Sequence, residues 1–226
     1  GANRFQPPQP ISWTGLRDAR SFGPRAVRNP WPAVTVPPFI WVGDTGPTGE
    51  NCLVLNVFTS SIDDTRKRPV MVFFHGGGFI LGDLDSHEAH AIRLANRAGV
   101  VVVHVDYRLA PEHPFPAAYD DALHGFHWVV DNAASLHIDP TRVAVGGDSA
   151  GGNLAAAVCL GSRDSALPPA FQLLIYPATI MYPDTPSYHA NGEGYMLTAA
   201  AMHWFMDHYL PNAEDRHDWR ASPLKA

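Results

Sequence analysis

The feature that most constrains this chain is a glycine-rich turn with a serine at its apex. Residues 143–152 read VAVGGDSAGG, and an alanine-rich apolar segment follows at 153–160. The pattern predicts a strand, a sharp turn and a helix, with Ser149 where the turn meets the helix. In a G-x-S-x-G turn the serine backbone is strained, and small flanking residues let strand and helix approach each other. Because any α/β protein can contain a glycine-rich turn, this turn alone leaves the role of Ser149 open.

Strand-like and helix-like patterns alternate along the 226 residues. This alternation predicts an α/β fold in a single domain, 1–226, with a mostly parallel central sheet flanked by helices. The predicted strands are 51–59, 69–74, 100–105, 143–148 and 171–176. The first predicted helix is capped by Asp85 or Ser86 and stops at Gly99, and the second carries Tyr119 to Val130. The third follows Ser149, and the fourth runs from a Thr198 cap to near Leu210.

A second glycine run, residues 75–78 (HGGG, hereafter the HGGG loop), follows the apolar strand at 69–74. It lies at the carboxyl end of that strand, where parallel sheets bind ligands. Backbone without side chains can approach a substrate closely, so its N–H groups are candidate oxyanion donors. The predicted donors are Gly76, Gly77 and Ala150. A phosphate-binding loop would instead need Lys and Ser or Thr after the last glycine, where this chain has Phe-Ile. Together, the loop and the turn predict an acyl-transfer site with Ser149 as nucleophile.

Other residues beside these elements are predicted to support the site. His75 precedes the glycines, so we interpret it as an organiser of the loop rather than as the catalytic base, and Gly78 completes that loop. Asp148 either positions its surroundings or is simply a carboxylate at a helix N-terminus. A buried polar cluster under the site is predicted from Asp106, Arg108 and Glu112.

Three motifs, in this order, closely resemble those of the hormone-sensitive-lipase-like (family IV) esterases. They are residues 75–79 (HGGGF), 106–118 (DYRLAPEHPFPAA) and 147–152 (GDSAGG). The resemblance covers roughly 69–226 and implies the α/β-hydrolase fold with a cap. It implies a carboxylic-ester hydrolase that forms an acyl-enzyme on Ser149, acts on small-molecule esters with short or medium acyl chains, and needs no metal or cofactor.

The start of the chain resembles a different family of the same fold. Residues 4–10 (RFQPPQP), 13–15 (WTG) and 50–57 (ENCLVLNV) are similar to type-B carboxylesterases. In that family the cysteine matching Cys52 usually pairs with one just after the glycine and proline matching 23–24. Arg25 and Ala26 stand there in this chain, so that disulfide is not expected.

Two segments, 1–50 and 178–210, are predicted to form the cap or lid and to frame the acyl pocket. The first is rich in proline, which excludes long helices. Packing on the core without a role in the pocket is the alternative for it. In the second, Trp204, Phe205 and Met206 either form an apolar wall of the pocket or only pack their helix against the core.

The resemblance also implies a catalytic acid and then a histidine base, each beyond a further strand after 171–176. This chain reaches residues 222–226 (SPLKA) before the first of those strands. We therefore expect two strands, the acid and the base to come from a second polypeptide, from sequence beyond residue 226, or from a neighbouring copy that completes the sheet. The candidates for an improvised triad, the least favoured alternative, are His189, His203, His208 and His217 with Asp184 or Glu193. A hydrolase-fold binding protein without turnover is the alternative from another functional class.

Composition narrows the remaining possibilities. The net charge of −6 and the pI near 6.0 argue against a nucleic-acid-binding surface. No stretch approaches the ~20 apolar residues of a membrane span. The histidines and the two cysteines show no zinc-ligand spacing, and Cys52 and Cys159 are interpreted as small buried apolar residues. No secretory signal is visible from Gly1, so a cytoplasmic location is favoured over a secreted one.

Overall fold

The computed structural model describes residues 55–59 and 67–226 of the chain, and its central element is a five-stranded sheet. The order is β1-β3-β2-β4-β5; β1 runs antiparallel to β3, and the other neighbouring strands are parallel. The predicted α/β fold with a mostly parallel sheet is confirmed. The strands are β1 (Leu55–Phe58), β2 (Arg68–Phe74), β3 (Val101–Val105), β4 (Ile138–Asp148) and β5 (Phe171–Ile175).

Helices cover both faces of this sheet, which is why its central strands are apolar on both sides. One face packs on α1 through a small cluster that includes Phe73 and Ala95. The other face packs on α2 and α3 through the larger core, which includes Phe126 and Leu154. The helices are α1 (Leu84–Ala98), α2 (Ala117–Asp131), α3 (Ala150–Ser162), α4 (Pro186–Ala190) and α5 (Ala199–Tyr209), with 3-10 turns at Ala213–His217 and Pro223–Lys225.

The strand register brings the two glycine-rich motifs together. Phe74, the last residue of β2, pairs with Val105 of β3 and with Gly147 of β4. The carboxyl ends of three parallel strands therefore lie side by side. As a result, the HGGG loop that follows β2 lies beside the turn that follows β4.

Helix α1 begins two or three residues before the position that the sequence predicts. Its N-cap is Asp83, whose carboxylate accepts the N–H of Ser86, while the Ser86 hydroxyl accepts the N–H of Asp83. The predicted caps, Asp85 and Ser86, instead lie inside the helix. All three are good capping residues, so composition does not choose among them, and the reciprocal bonds of a capping box do. The predicted stop at Gly99 is confirmed by its left-handed backbone.

The segment 178–210 packs against the main body of the fold at its two ends, and most of the residues at 184–197 are exposed. Helix α5 has the predicted Thr198 cap, and Met206 and Tyr209 are buried in the larger core. Asn153 of α3, itself fully buried, donates from its side-chain amide to the carbonyls of Ala178 and Ala221. These bonds fix the start of the segment against the helix that follows Ser149. The other predicted cap segment, 1–50, lies outside the described residues, as does Cys52.

The prediction that Asp106, Arg108 and Glu112 form a buried group is wrong in its burial. None of the three is buried, and the Arg108 guanidinium makes a bidentate ion pair with Asp121 of α2. Asp121 also accepts the backbone N–H of Arg108, so one carboxylate on α2 fixes the chain as it leaves β3. Asp121 lies in a helix thirteen residues further on, and local sequence reasoning did not connect the two.

Candidate active site

Ser149 stands between β4 and α3 in a strained backbone conformation. Its φ of 55° and ψ of −113° lie in a region that residues with a Cβ rarely adopt. Its N–H donates to the carbonyl of Ile175, and its carbonyl accepts the N–H groups of Asn153 and Ala178. These contacts come from β5, α3 and the segment after β5, so the surrounding fold maintains the strain.

The glycines of the turn are required by close backbone approach. A Cβ on Gly151 would overlap the carbonyl of Phe74 at the end of β2, and a Cβ on Gly147 would overlap the backbone of Gly151. The atoms that would be struck are backbone atoms, which cannot rotate away. The sequence interpretation, small residues where strand and helix approach, therefore has a direct geometric basis.

The HGGG loop presents two N–H groups at the position where the sequence predicts donors, but they are not the predicted pair. The N–H of Gly76 donates to Asp148 Oδ1 at 3.0 Å, so it is already used. Within 67–226, the N–H groups of Gly77 and Gly78 donate to no acceptor. Ala150 is the first residue of α3, where the N–H has no acceptor within the helix. The geometry thus replaces Gly76 by Gly78 as a candidate donor.

His75 is fully buried and is held from several sides. Its Nδ1–H donates to the carbonyl of Gly76 at 2.8 Å, its own carbonyl accepts the Tyr107 hydroxyl at 2.7 Å, and its ring stacks on that of Tyr107. Burial lowers the pKa of His75 to about 4, so the ring is neutral at physiological pH. This is the environment expected of a residue that organises the loop.

Asp148 links the serine turn to the HGGG loop. Burial alone raises the pKa of its carboxyl, but the neighbouring His87 and the N–H of Gly76 outweigh burial, and the net shift is downward. His87 Nε2 lies 3.6 Å from Asp148 Oδ2, an ion-pair distance. Sequence reasoning missed His87, because nothing local connects the first turn of α1 to the end of β4.

A second buried histidine adjoins this group. His104 of β3 is fully buried, and neither of its ring nitrogens has a hydrogen-bond partner among the described residues. Burial, together with the neighbouring histidines His75, His87 and His90, holds its pKa well below the ordinary value. The unfolded chain therefore takes up protons at these buried histidines near pH 6.5, and the folded chain does so only at lower pH.

The free energy of unfolding should consequently fall as the pH drops from about 6.5 towards 4, because the unfolded state binds more protons in that window. A histidine with the pKa of His75 contributes up to about 3 kcal/mol to this loss. Replacing His104 with leucine should reduce the loss between pH 7 and pH 4, because the variant has no imidazole to take up a proton at this position. Urea unfolding of the wild type and the variant at pH 7 and at pH 4 measures this loss. An unchanged loss in the variant would contradict this prediction.

The four histidines of the improvised triad all have local partners. His189 pairs with Asp184, His203 with Tyr188, His208 with the carbonyl of Trp204, and His217 with Lys225. None is hydrogen-bonded to Ser149 in the part of the chain that the structure describes, and Glu193 is exposed. The structure thus brings together the candidate nucleophile and donors, but brings none of these histidines to the serine.

The predicted apolar wall divides into three different environments. The Phe205 ring lies against the HGGG loop, so closely that a Cβ on Gly78 would stand 2.5 Å from Phe205 Cδ1. Met206 is buried in the core, and Trp204 contacts the ring of His208. Of the three, Phe205 is the residue that lies against the HGGG loop.

Neither a membrane span nor a metal-binding cluster is found in the described ranges, 55–59 and 67–226. No helix there is long and apolar enough to cross a membrane. No group of three or more histidine, cysteine or acidic side chains is arranged there to hold a metal ion. Cys159 has a free thiol whose pKa burial raises to about 11, so it is protonated and unreactive at neutral pH.

An α/β hydrolase is defined by this sheet topology together with the strained serine and the adjacent glycine loop. The chain belongs to the alpha/beta hydrolase fold family, whose model matches residues 71–226. Its relatives are esterases, which confirms the resemblance to hormone-sensitive-lipase-like enzymes. It is 46% identical over 165 residues to the carboxylic ester hydrolase LipN of Mycobacterium tuberculosis, covering 70% of this chain and 44% of that protein.

Two further relatives are themselves named as ester hydrolases. An ethyl acetate hydrolase of Pseudomonas putida is 44% identical over 164 residues, which cover 72% of this chain and 52% of that protein. The solved structure of a hyperthermophilic esterase from the archaeon Pyrobaculum calidifontis superposes with a TM-score of 0.72 at 42% identity, over 76% of this chain and 56% of that chain. The chain spans about half the length of the curated relatives it matches.

Proposed function

We propose that this chain carries the nucleophile and the oxyanion hole of a carboxylic-ester hydrolase. The observation that carries the proposal is the strained Ser149, which stands at the start of α3 beside a loop with two N–H groups that have no acceptor among the described residues. Such a serine is aimed at a substrate, and such donors stabilise the negative charge that forms on the carbonyl oxygen when the acyl carbon is attacked.

The reaction proceeds in two halves. Ser149 Oγ attacks the ester carbonyl as its proton passes to a general base, and the resulting oxyanion accepts the N–H groups of Gly77, Gly78 and Ala150. The intermediate expels the alcohol, which takes a proton from that base, and leaves an acyl group on Ser149. Water then attacks the acyl group by the same route and releases the carboxylic acid.

The general base and its acid partner are proposed to come from outside residues 1–226. General-base assistance is worth about 10² to 10⁴-fold in rate, so the serine needs it. No histidine within 67–226 is hydrogen-bonded to Ser149, and β5, at the edge of the described sheet, exposes 61% of Phe171. A further strand, from a second polypeptide, from sequence beyond residue 226 or from a neighbouring copy, is proposed to pair with this edge.

The proposed substrates are small esters with short or medium acyl chains. The names of the relatives support this class, since one is an ethyl acetate hydrolase and another a carboxylesterase. They give no support to a binding protein without turnover. Phe205 is proposed to limit the acyl chain, because its ring lies against the loop that holds the oxyanion.

The test is a series of p-nitrophenyl esters with increasing acyl length, assayed on the protein that carries this chain. We expect kcat/KM to be highest for short and medium acyl chains. In Phe205→Ala, the ratio of kcat/KM for longer chains to that for shorter chains should rise about tenfold, which is the scale of a few added methylenes in an apolar pocket. Ile92→Ala, which truncates an exposed apolar side chain on α1, is the control and should leave the preference unchanged. A Phe205→Ala profile identical to that of the wild type would reject the assignment of Phe205.

A further inference from the structure

We propose that His87, on the first turn of α1, is a positioning residue of the proposed hydrolase: it holds Asp148 in the orientation that fixes the HGGG loop. The kinetic consequence rests on the proposed function, and the structural consequence does not. Neither the family match nor the relatives assign a role to this residue.

The geometry connects three elements through one carboxylate. Asp148 Oδ2 lies 3.6 Å from His87 Nε2 of α1, and Asp148 Oδ1 accepts the N–H of Gly76 at 3.0 Å. Asp148 itself ends β4 and directly precedes Ser149. Because a carboxylate has two oxygens, an interaction with one of them sets the direction of the other. His87 therefore acts on the loop through Asp148.

His87 is itself held in place, as a positioning residue must be. Its Nδ1 lies 2.9 Å from the hydroxyl of Ser86, and that hydroxyl belongs to the capping box with Asp83 that starts α1. Its ring packs against the ring of His75, with centroids 5.5 Å apart. Only 17% of its side chain is exposed, so little conformational freedom remains to be lost when it engages Asp148.

The loop needs this support because its backbone conformation is unusual. Gly77 has a φ of 115°, and the proposed donors are the N–H groups on either side of that bend. Oxyanion donors work only when they already point to the place where charge develops, and a displacement of about 1 Å can cost 10²-fold in rate. Without His87, the Asp148 carboxylate can rotate, and the N–H of Gly76 loses its fixed acceptor.

The experiment compares His87→Gln with His124→Gln, which makes the same change at an exposed histidine on α2. For His87→Gln we expect kcat on a short-chain ester to fall about tenfold with KM within about twofold, because the loop acts in the transition state rather than in ground-state binding. We also expect hydrogen exchange at the Gly76 amide to accelerate about tenfold. His124→Gln should change neither quantity.

A double-mutant cycle separates positioning from a general loss of structure. Asp148→Asn keeps an acceptor for Gly76 but loses the charge that pairs with His87, so the double variant should lose little more than either single variant. Additive losses would overturn the proposal, as would a His87→Gln protein with unchanged kcat and unchanged Gly76 exchange. If the wild type hydrolyses no ester, the proposed function fails, and the Gly76 exchange rate still decides whether His87 holds the loop.

Discussion

Replacing Ser149 with alanine should abolish hydrolysis of p-nitrophenyl butyrate, with kcat falling by at least about 10⁴-fold. The hydroxyl forms the covalent bond to the acyl group, and no other side chain can take its place at the start of α3. The oxyanion donors and the pocket remain in the variant, so a small residual rate above that in water is expected. The measurement is kcat and KM on purified protein at neutral pH.

Ser135→Ala is the matched control for this experiment. Ser135 is an exposed serine near the end of α2 whose hydroxyl contacts only a nearby backbone carbonyl. The control should retain full activity, and both variants should unfold at the wild-type temperature. If Ser149→Ala retains more than a few per cent of wild-type turnover, Ser149 is not the nucleophile and the reaction proceeds elsewhere.

Replacing Gly151 with alanine should destabilise the folded state by at least about 3 kcal/mol, which is roughly 10 °C in the unfolding midpoint of a domain of this size. The added Cβ would strike the backbone carbonyls of Phe74 and His75, neither of which belongs to a flexible side chain. Either β2 or α3 must therefore move. Thermal unfolding followed by circular dichroism gives the midpoint, and a variant recovered only in insoluble form counts as the same result.

Gly194→Ala provides the comparison, since it adds the same methyl group where no atom lies within 4 Å. Its left-handed φ of 79° makes alanine unfavourable by about 1 kcal/mol, and no steric term is added. The two variants thus separate backbone strain from close approach. Equal effects at the two positions would mean that the approach of β2 to α3 is not what requires Gly151.

Local sequence was sufficient to predict the two motifs and the order of the elements around them. The turn at Ser149 and the stop at Gly99 depend on residues that are neighbours in the chain. Glycine at such positions usually marks a tight turn or the end of a helix. The alternation of apolar strands with helices likewise predicted the parallel sheet. These features were predictable because each is encoded within about ten residues.

The features that the sequence did not predict depend on contacts between distant residues. The N–H of Gly76 is taken by Asp148, 72 positions away, through the register of β2 against β4. The Arg108 pair with Asp121 and the His87 pair with Asp148 are contacts of the same kind. Each side chain has several acceptable partners in the sequence, and only the folded arrangement selects one.

The predicted apolar wall shows the same limit within one helix. Residues 204–206 are consecutive in α5, so their side chains leave the helix about 100° apart and cannot all face one pocket. Their apolar character gave no means of choosing among them. Phe205 was selected by the direction of the helix relative to the HGGG loop, which depends on how α5 docks on the larger core.

The most direct test of the proposed hydrolase is covalent labelling with a fluorophosphonate, followed by intact-mass measurement and peptide mapping. We expect one adduct per chain, located on the peptide that contains Ser149, with loss of ester turnover in proportion to labelling. Counting the polypeptides in the same sample by mass shows whether a second chain accompanies this one. Ester turnover that persists after complete labelling, or an adduct that maps to any residue other than Ser149, would contradict the assignment of Ser149 as the nucleophile.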